Sequence, residues 1–425
     1  MILKHLHLND YKILKNFNLD FTKQIGVIIG INGSGKSSIL EALSLMFSIA
    51  YSQIILKRKT EVPKNICNSS IIFELRYKDD KNPFLKSEIE YVPVKLLIND
   101  SGKVEIFIHA NSDISPEHYI YLKKKYLPED LLPNRLILYY SGMSTHLKNI
   151  HLKNEDNILK QFTQNPEQSD TGYIDRPKIP TYLFESSDYG LLFAGLLGYA
   201  YNDRVKNLIE NKLHIHPNKD QEYIKLIIKK IEFDRLEHRA NLKELEENII
   251  LFEDNDPYFD PMSFRYKEEK VLMERRISTF FGASGRLGMF LKQLLELHKY
   301  PDRLYDEMTE EYTLIFDAEN WKYLAEEVYQ DPKILFENLL MLKYNNLLDE
   351  IDINVLKDEL SVNIDKLSEG EKQIVIITAL NEILGTTNSL FLFDEPDNYL
   401  HPSLQDDLIR NIESNNLVNE LMQNQ

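Results

Sequence analysis

Apolar and polar positions alternate with two different periods along this chain, and each change of period marks a new element. Residues 2 to 8 and 16 to 21 read as strands, the second because Phe17, Leu19 and Phe21 alternate with Asn16, Asn18 and Asp20. Ile25-Gly26-Val27-Ile28-Ile29 is a short continuous apolar run, the pattern of a strand covered on both faces. Ile39, Leu40, Leu43, Met46, Phe47 and Ala50 then recur at helical spacing. Ile71 to Tyr77 alternates again, and residues 94 to 99 and 103 to 109 flank the turn sequence Asn99-Asp100-Ser101-Gly102, which predicts a hairpin in an antiparallel side sheet. A polar helix near 116 to 126, a core strand over Arg135 to Tyr140, a strand at Tyr182-Leu183-Phe184 and an apolar helix over Leu191 to Ala200 follow. The stretch 143 to 180 is polar and without period, a long surface loop.

From 201 to 345 the pattern turns mostly helical and charged. Ile224 to Phe252 supplies one or two amphipathic helices, although Ile227-Ile228 to Phe233 also fits a strand. Gly282-Ala283-Ser284-Gly285, ahead of a helix over Leu287 to Leu297, reads as a turn between helices; an anion-binding helix start is the other reading. The chain closes with an apolar helix, Ile374 to Leu384, and the strand Leu390-Phe391-Leu392-Phe393. These elements make an α/β protein in three segments: 1–200, a helical lobe over 201–345, and 346–425.

Composition narrows the setting. Of 425 residues 43% are hydrophobic and 28% charged, an ordinary globular balance. The net charge of -17 argues against a surface that coats nucleic acid, so any DNA contact is expected to be weak, confined to a small basic patch and sensitive to salt. Cys67 is the only cysteine, which excludes an internal disulfide and suits a reducing compartment. Met1-Ile2-Leu3-Lys4-His5-Leu6 lacks the apolar region of a signal peptide, and Tyr189 to Tyr201, the longest apolar run, falls short of the roughly 20 residues of a spanning helix. A soluble cytoplasmic protein with no membrane partner is the expectation.

Three stretches carry chemistry. Gly30-Ile31-Asn32-Gly33-Ser34-Gly35-Lys36-Ser37 fits G-x-x-x-x-G-K-[ST] between an apolar run and a helix. Its glycines let successive N–H groups turn toward phosphates at a helix N-terminus, Lys36 reaches the β and γ phosphates, and Ser37 holds Mg²⁺. Leu367-Ser368-Glu369-Gly370-Glu371 precedes the second helix, which places Ser368 and Gly370 at its start with free N–H groups. Leu390 to Phe393 delivers Asp394-Glu395-Pro396 to the C-terminal edge of a buried strand, where Asp394 suits Mg²⁺ and Glu395 the attacking water. Tyr11-Lys12, between the first two strands, is either a loop that touches nucleotide or a solvated turn.

In this order the three stretches resemble the ABC-type ATPases of the SMC and RecF class, and within it the AAA-type ATPases of bacterial anti-phage systems: restriction-associated, retron-linked and Septu-type. The resemblance is specific over about 1 to 50 and 360 to 403. It implies a P-loop NTPase fold, an ABC-type head with an antiparallel β side sheet and an inserted helical lobe. It assigns the ATP phosphates to Asn32, Gly33, Ser34, Gly35, Lys36, Ser37 and Ser38, and Mg²⁺ to Ser37 and Asp394. Glu395 becomes the catalytic carboxylate, while Ser368 and Gly370 contact ATP held by the opposite subunit of a head-to-head homodimer. It further implies an anti-phage sensor or scaffold that controls a separate effector such as a nuclease; a RecF-like DNA-repair clamp and a non-hydrolysing ATP-bound scaffold are the alternatives. Two features depart from the pattern. Gln53, Gln161 and Gln164 are poorly placed for the class's glutamine loop. Residues 397 to 425, 29 in number, contain no later strand ending in Thr-His or Ser-His, and His401 lies in the Leu-His-Pro element rather than at a switch position. A shortened chain or slow hydrolysis is therefore expected, and with no nuclease domain the chain alone is not expected to cut nucleic acid.

Overall fold

The computed structural model describes residues 1–31, 33–78, 89–110, 114–140, 181–199, 202–218, 222–229, 277–278, 280, 283, 285–300, 304–385 and 388–396. The chain divides into two compact units: Met1–Asp156 with Lys178–Glu185 and Leu380–Gln425, and Asn157–Pro177 with Ser186–Ala379. In chain order the first part comprises β1 (Ile2–Tyr11), β2 (Leu14–Asp20), α1 (Lys36–Ala50), β3 (Ser69–Lys78), β4 (Ile89–Ile98), β5 (Val104–Ile108), α2 (Pro116–Lys125), β6 (Arg135–Tyr140) and β7 (Thr181–Leu183). Next come α3 (Tyr189–Leu197), α4 (Asp203–Lys206), β8 (Ile215–Pro217), β9 (Ile224–Lys229), α5 (Gly285–Leu297), β10 (Tyr305–Asp306), β11 (Glu311–Phe316), α6 (Ala318–Tyr323) and α7 (Pro332–Tyr344). The chain then forms β12 (Leu348–Lys357), β13 (Leu360–Asn363), α8 (Glu369–Leu384) and β14 (Ser389–Asp394).

The first unit is mixed α/β. Its antiparallel side sheet runs β2-β1-β3-β4-β5, and a parallel sheet runs β14-β6-β7. Strand alternation sets the core: Leu6 and Leu8 of β1, Ile71, Phe73 and Leu75 of β3, and Val92, Val94 and Leu96 of β4 are fully buried. They pack with the apolar face of α1, whose Phe47 meets Phe73 edge to face at 5.4 Å. The α1 segment, continued by Tyr51–Ile55, is longer than Tyr189 to Tyr201 and long and apolar enough to cross a membrane by length and composition alone, but it is largely buried in this core. At the β4–β5 turn Gly102 adopts φ 76°, and an added Cβ would lie 2.9 Å from Val62, so both backbone and space require glycine. Cys67 is buried and unpaired, as a small apolar residue would be.

One expected strand is absent. Ile25–Ile29 pairs with no described strand, and Val27, Ile29 and Ile31 are 77%, 90% and 83% exposed. A continuous apolar run becomes a buried strand only where a ladder partner and cover on both faces exist. Among the described residues β6 is flanked by β14 and β7, and no strand pairs with 25–29.

The second unit combines helices with an antiparallel sheet ordered β10-β11-β9-β12-β13, with β8 also paired to β12. The stretch 201–345 therefore carries strands β8 to β11 beside its helices. Ile224, Leu226 and Ile228 of β9 are buried while Lys225 and Ile227 are half-exposed, so over 224–229 this run is a strand; the rest of the expected helices and strand, from 230 on, lies outside the described residues. Trp321 anchors the core: its indole N–H donates to the Ala194 carbonyl at 3.0 Å, and its ring meets Phe316 at 5.5 Å. The proposed surface loop 143–180 and all of 230–276 lie outside the described residues, as do Gly282, Ser284 and the helix-like Leu404 to Ile412.

Candidate functional site

The phosphate loop enters α1 through two left-handed glycines. Gly33 has φ 81° and Gly35, the N-cap of α1, φ 96°. Only glycine adopts both without strain, and the alternation turns N–H groups to one side as in an anion-binding nest. Gly35 also sits against the β1–β2 hairpin, where an added Cβ would meet Leu14 at 3.0 Å and Ile13 at 3.1 Å. The Lys36 ammonium donates to the carbonyls of Gly30 at 2.7 Å and Ile31 at 3.2 Å, curling over its own loop. Ser34 N–H closes the turn onto the Ile31 carbonyl at 3.1 Å. Asn32 lies outside the described residues. Ser38 is half-exposed in the first turn of α1.

Ser37 and Asp394 converge. The Ser37 hydroxyl donates to the Asp394 carboxylate at 3.1 and 3.3 Å, joining the start of α1 to the end of β14. β14 runs parallel to β6 in register, Leu390 opposite Leu136 and Asp394 opposite Tyr140. The Asn388 side chain fixes the start of β14, accepting the Arg76 N–H and donating to the Arg76 carbonyl, each at 2.8 Å. Asp394 is buried, and its carboxyl is held above the usual range, first by burial and then by the charges of Glu395 and Glu41, against the opposing Ser37 hydrogen bond and Lys36 charge. A buried carboxylate raised by neighbouring acids and facing a hydroxyl is a donor set suited to a hard divalent cation, so Ser37 and Asp394 fit Mg²⁺. Glu395 follows directly, exposed, with φ 50°, a conformation that costs a non-glycine residue about 1–2 kcal/mol. Backbone strain of this kind gathers at functional positions.

Three side chains have roles the sequence reading did not give them. Glu41, 4% exposed on α1, pairs with Lys12 at the hairpin tip, so Lys12 sits in an exposed turn, as one reading expected, and its ammonium is engaged by a buried carboxylate. Neighbouring Tyr11 is 1% exposed, its phenol pushed up by burial and then by Glu41. A glutamate among Leu40, Ala42 and Leu43 was the available signal. Gln53 donates to the Gly102 carbonyl at 3.0 Å and accepts the Val104 N–H at 2.9 Å, so it clamps the β4–β5 hairpin and does not reach the phosphate loop. Gln161, Gln164 and His401 lie outside the described residues.

Ser368 and Gly370 belong to the second unit, at the start of α8. The Ser368 N–H, expected to be free, instead donates to Glu371 at 2.9 Å. Glu371 is the missed residue here, and the Ser-x-x-Glu spacing of a capping box was its signal.

Known proteins resemble the chain over different spans. The structural maintenance of chromosomes protein 3 homolog of Plasmodium falciparum (isolate 3D7) is 34% identical over 125 residues, 29% of this chain and 10% of that protein. The match thus spans about a tenth of that relative's length. Among solved structures, the Smc head bound to the C-winged helix domain of ScpA covers 98% of this chain and 87% of its own at 13% identity, TM-score 0.31. RecF with ATP, the recombination mediator protein of the RecFOR pathway, covers 96% and 89% at 14% identity, TM-score 0.28. A model of the AAA ATPase domain, AAA_15, matches residues 1–422, so the chain belongs to that family and carries an AAA ATPase domain.

Proposed function

We propose that the chain binds and hydrolyses ATP, pairs head to head with a second copy on ATP, and acts as a sensor or scaffold that controls a separate effector, such as a nuclease, in cytoplasmic anti-phage defence. The Ser37–Asp394 contact carries the catalytic part of this reading, because it joins the hydroxyl that closes the phosphate-loop motif to the acidic strand end. Asn32 to Ser38 line the phosphates, and Lys36 leaves its carbonyl partners for the β and γ oxygens. A Mg²⁺ ion held by Ser37 and Asp394 would neutralise charge between those phosphates. Glu395 orients and deprotonates the attacking water. Ser368 and Gly370 offer α8's N-terminus to the ATP of the second copy, in the manner of anion-binding helix starts. The nucleotide lobe, expected over 1–200 and 346–425, is narrowed here to the first unit, because β12 shares a sheet with β8 and β9 of the 201–345 stretch, whose surface faces the effector.

The test is turnover: ATP hydrolysis lost in Glu395→Gln, and phage protection and effector co-purification lost when part of 201–345 is deleted while ATP binding persists. The repair-clamp reading has its own support in the exposed basic residues Lys123 and Lys124 of α2 and Arg58, although neighbouring Lys125 and Lys57 are paired with Glu90 and Glu129. Tight duplex binding at physiological salt with no recovered effector would favour it.

A further inference from the structure

Ser368 and Glu371 close on each other at the start of α8. One carboxylate oxygen of Glu371 accepts both the Ser368 N–H at 2.9 Å and the Ser368 hydroxyl at 2.8 Å. The reciprocal arm, from the Glu371 N–H to the Ser368 oxygen, is longer at 3.4 Å. The other Glu371 oxygen pairs with Lys357 at the end of β12. A serine hydroxyl has one proton, and here it is committed to the carboxylate. Both donors that Ser368 can offer a phosphate are therefore occupied by an anion from the same helix. Partial burial raises the Glu371 carboxyl, but the Lys357 and Ser368 hydrogen bonds outweigh it and the net shift is downward, so this anion is charged at neutral pH.

We infer that Glu371 stands in for a phosphate: it holds the Ser368 donors until the nucleotide of a second copy displaces it, and so sets the concentration at which ATP pairs two heads. The inference rests on the composite-site reading above. Carboxylate and phosphate oxygens compete for the same N–H and O–H, and two anions cannot share them without repulsion. Lys357 makes the exchange feasible, because Glu371 keeps that ion pair when it releases Ser368. Glu371 is thus a positioning residue for the signature serine and touches no substrate.

Glu371→Gln tests this, since the amide keeps the shape and one acceptor but removes the charge. With a non-hydrolysable ATP analogue and Mg²⁺, the variant should dimerise at about tenfold lower protein concentration than wild type, a shift of ~1.4 kcal/mol. ATP affinity of the monomer should not change. Lys357→Gln, which leaves the carboxylate unneutralised, should move dimerisation the other way. A folded Glu371→Gln protein that dimerises no more tightly than wild type overturns the inference, as does wild-type behaviour in Lys357→Gln. Wild type that never dimerises with the analogue overturns instead the composite-site reading beneath it.

Discussion

Ser37 donates its hydroxyl to both carboxylate oxygens of Asp394, at 3.1 and 3.3 Å, across 357 residues of sequence. Burial and the charges of Glu395 and Glu41 raise this carboxyl above its ordinary value of 3.8 while Ser37 and Lys36 oppose the rise. A raised folded-state pKa favours the protonated form, so the stability it contributes is present below the unfolded value and is lost as pH climbs through the folded one. Asp394→Asn should then stabilise the ligand-free protein at neutral pH relative to wild type and abolish the additional melting-temperature rise that Mg²⁺ gives with ATP. Ser37→Ala should move the Asp394 titration further upward, which carboxyl NMR reads directly. A downward shift would mean that the hydroxyl does not serve the carboxylate.

Lys36 rests on the Gly30 and Ile31 carbonyls, a bonding pattern that phosphate oxygens replace with stronger charge-assisted contacts. Lys36→Ala should weaken ATP binding by roughly 10–100-fold, the equivalent of one charged hydrogen-bond set, with little change in melting temperature. Calorimetric titration measures it, and unchanged affinity would remove the loop from the phosphate site.

Gln53 separates a structural role from a catalytic one. Its two hydrogen bonds to the β4–β5 hairpin predict that Gln53→Ala loses about 1–3 kcal/mol of unfolding free energy while ATP affinity and turnover per folded molecule stay at wild-type values. A variant with normal denaturation but lost turnover would return Gln53 to the nucleotide.

Local patterns were legible where local forces decide. β1 to β5 follow from alternation, because one sheet face is buried against α1 and the other is not. The phosphate loop and the acidic strand end were legible as motifs, since their glycines and carboxylates sit at fixed spacing. β9 was ambiguous because its partners, β11 and β12, lie some 80 to 130 residues downstream, and strand pairing at that distance leaves no local period. Ile25–Ile29 shows the converse: an apolar run specifies burial only if a partner strand is in place. Glu41 and Glu371 escaped notice for one reason, that a carboxylate's partner is set by tertiary approach. The capping-box spacing at Ser368 nonetheless announced the second.

In the proposed dimer ATP joins two heads through Lys36 of one and Ser368 of the other, and sedimentation velocity of Glu395→Gln and Ser368→Arg, with and without ATP and Mg²⁺, reads that joining. Glu395→Gln keeps the Mg²⁺ ligands but loses the carboxylate that serves water, so it should pass from monomer to dimer only when ATP and Mg²⁺ are present. Ser368→Arg places a long cation at the α8 start and should remain monomeric in both conditions while still binding ATP. The same oligomer in both variants, independent of ATP, would contradict the account.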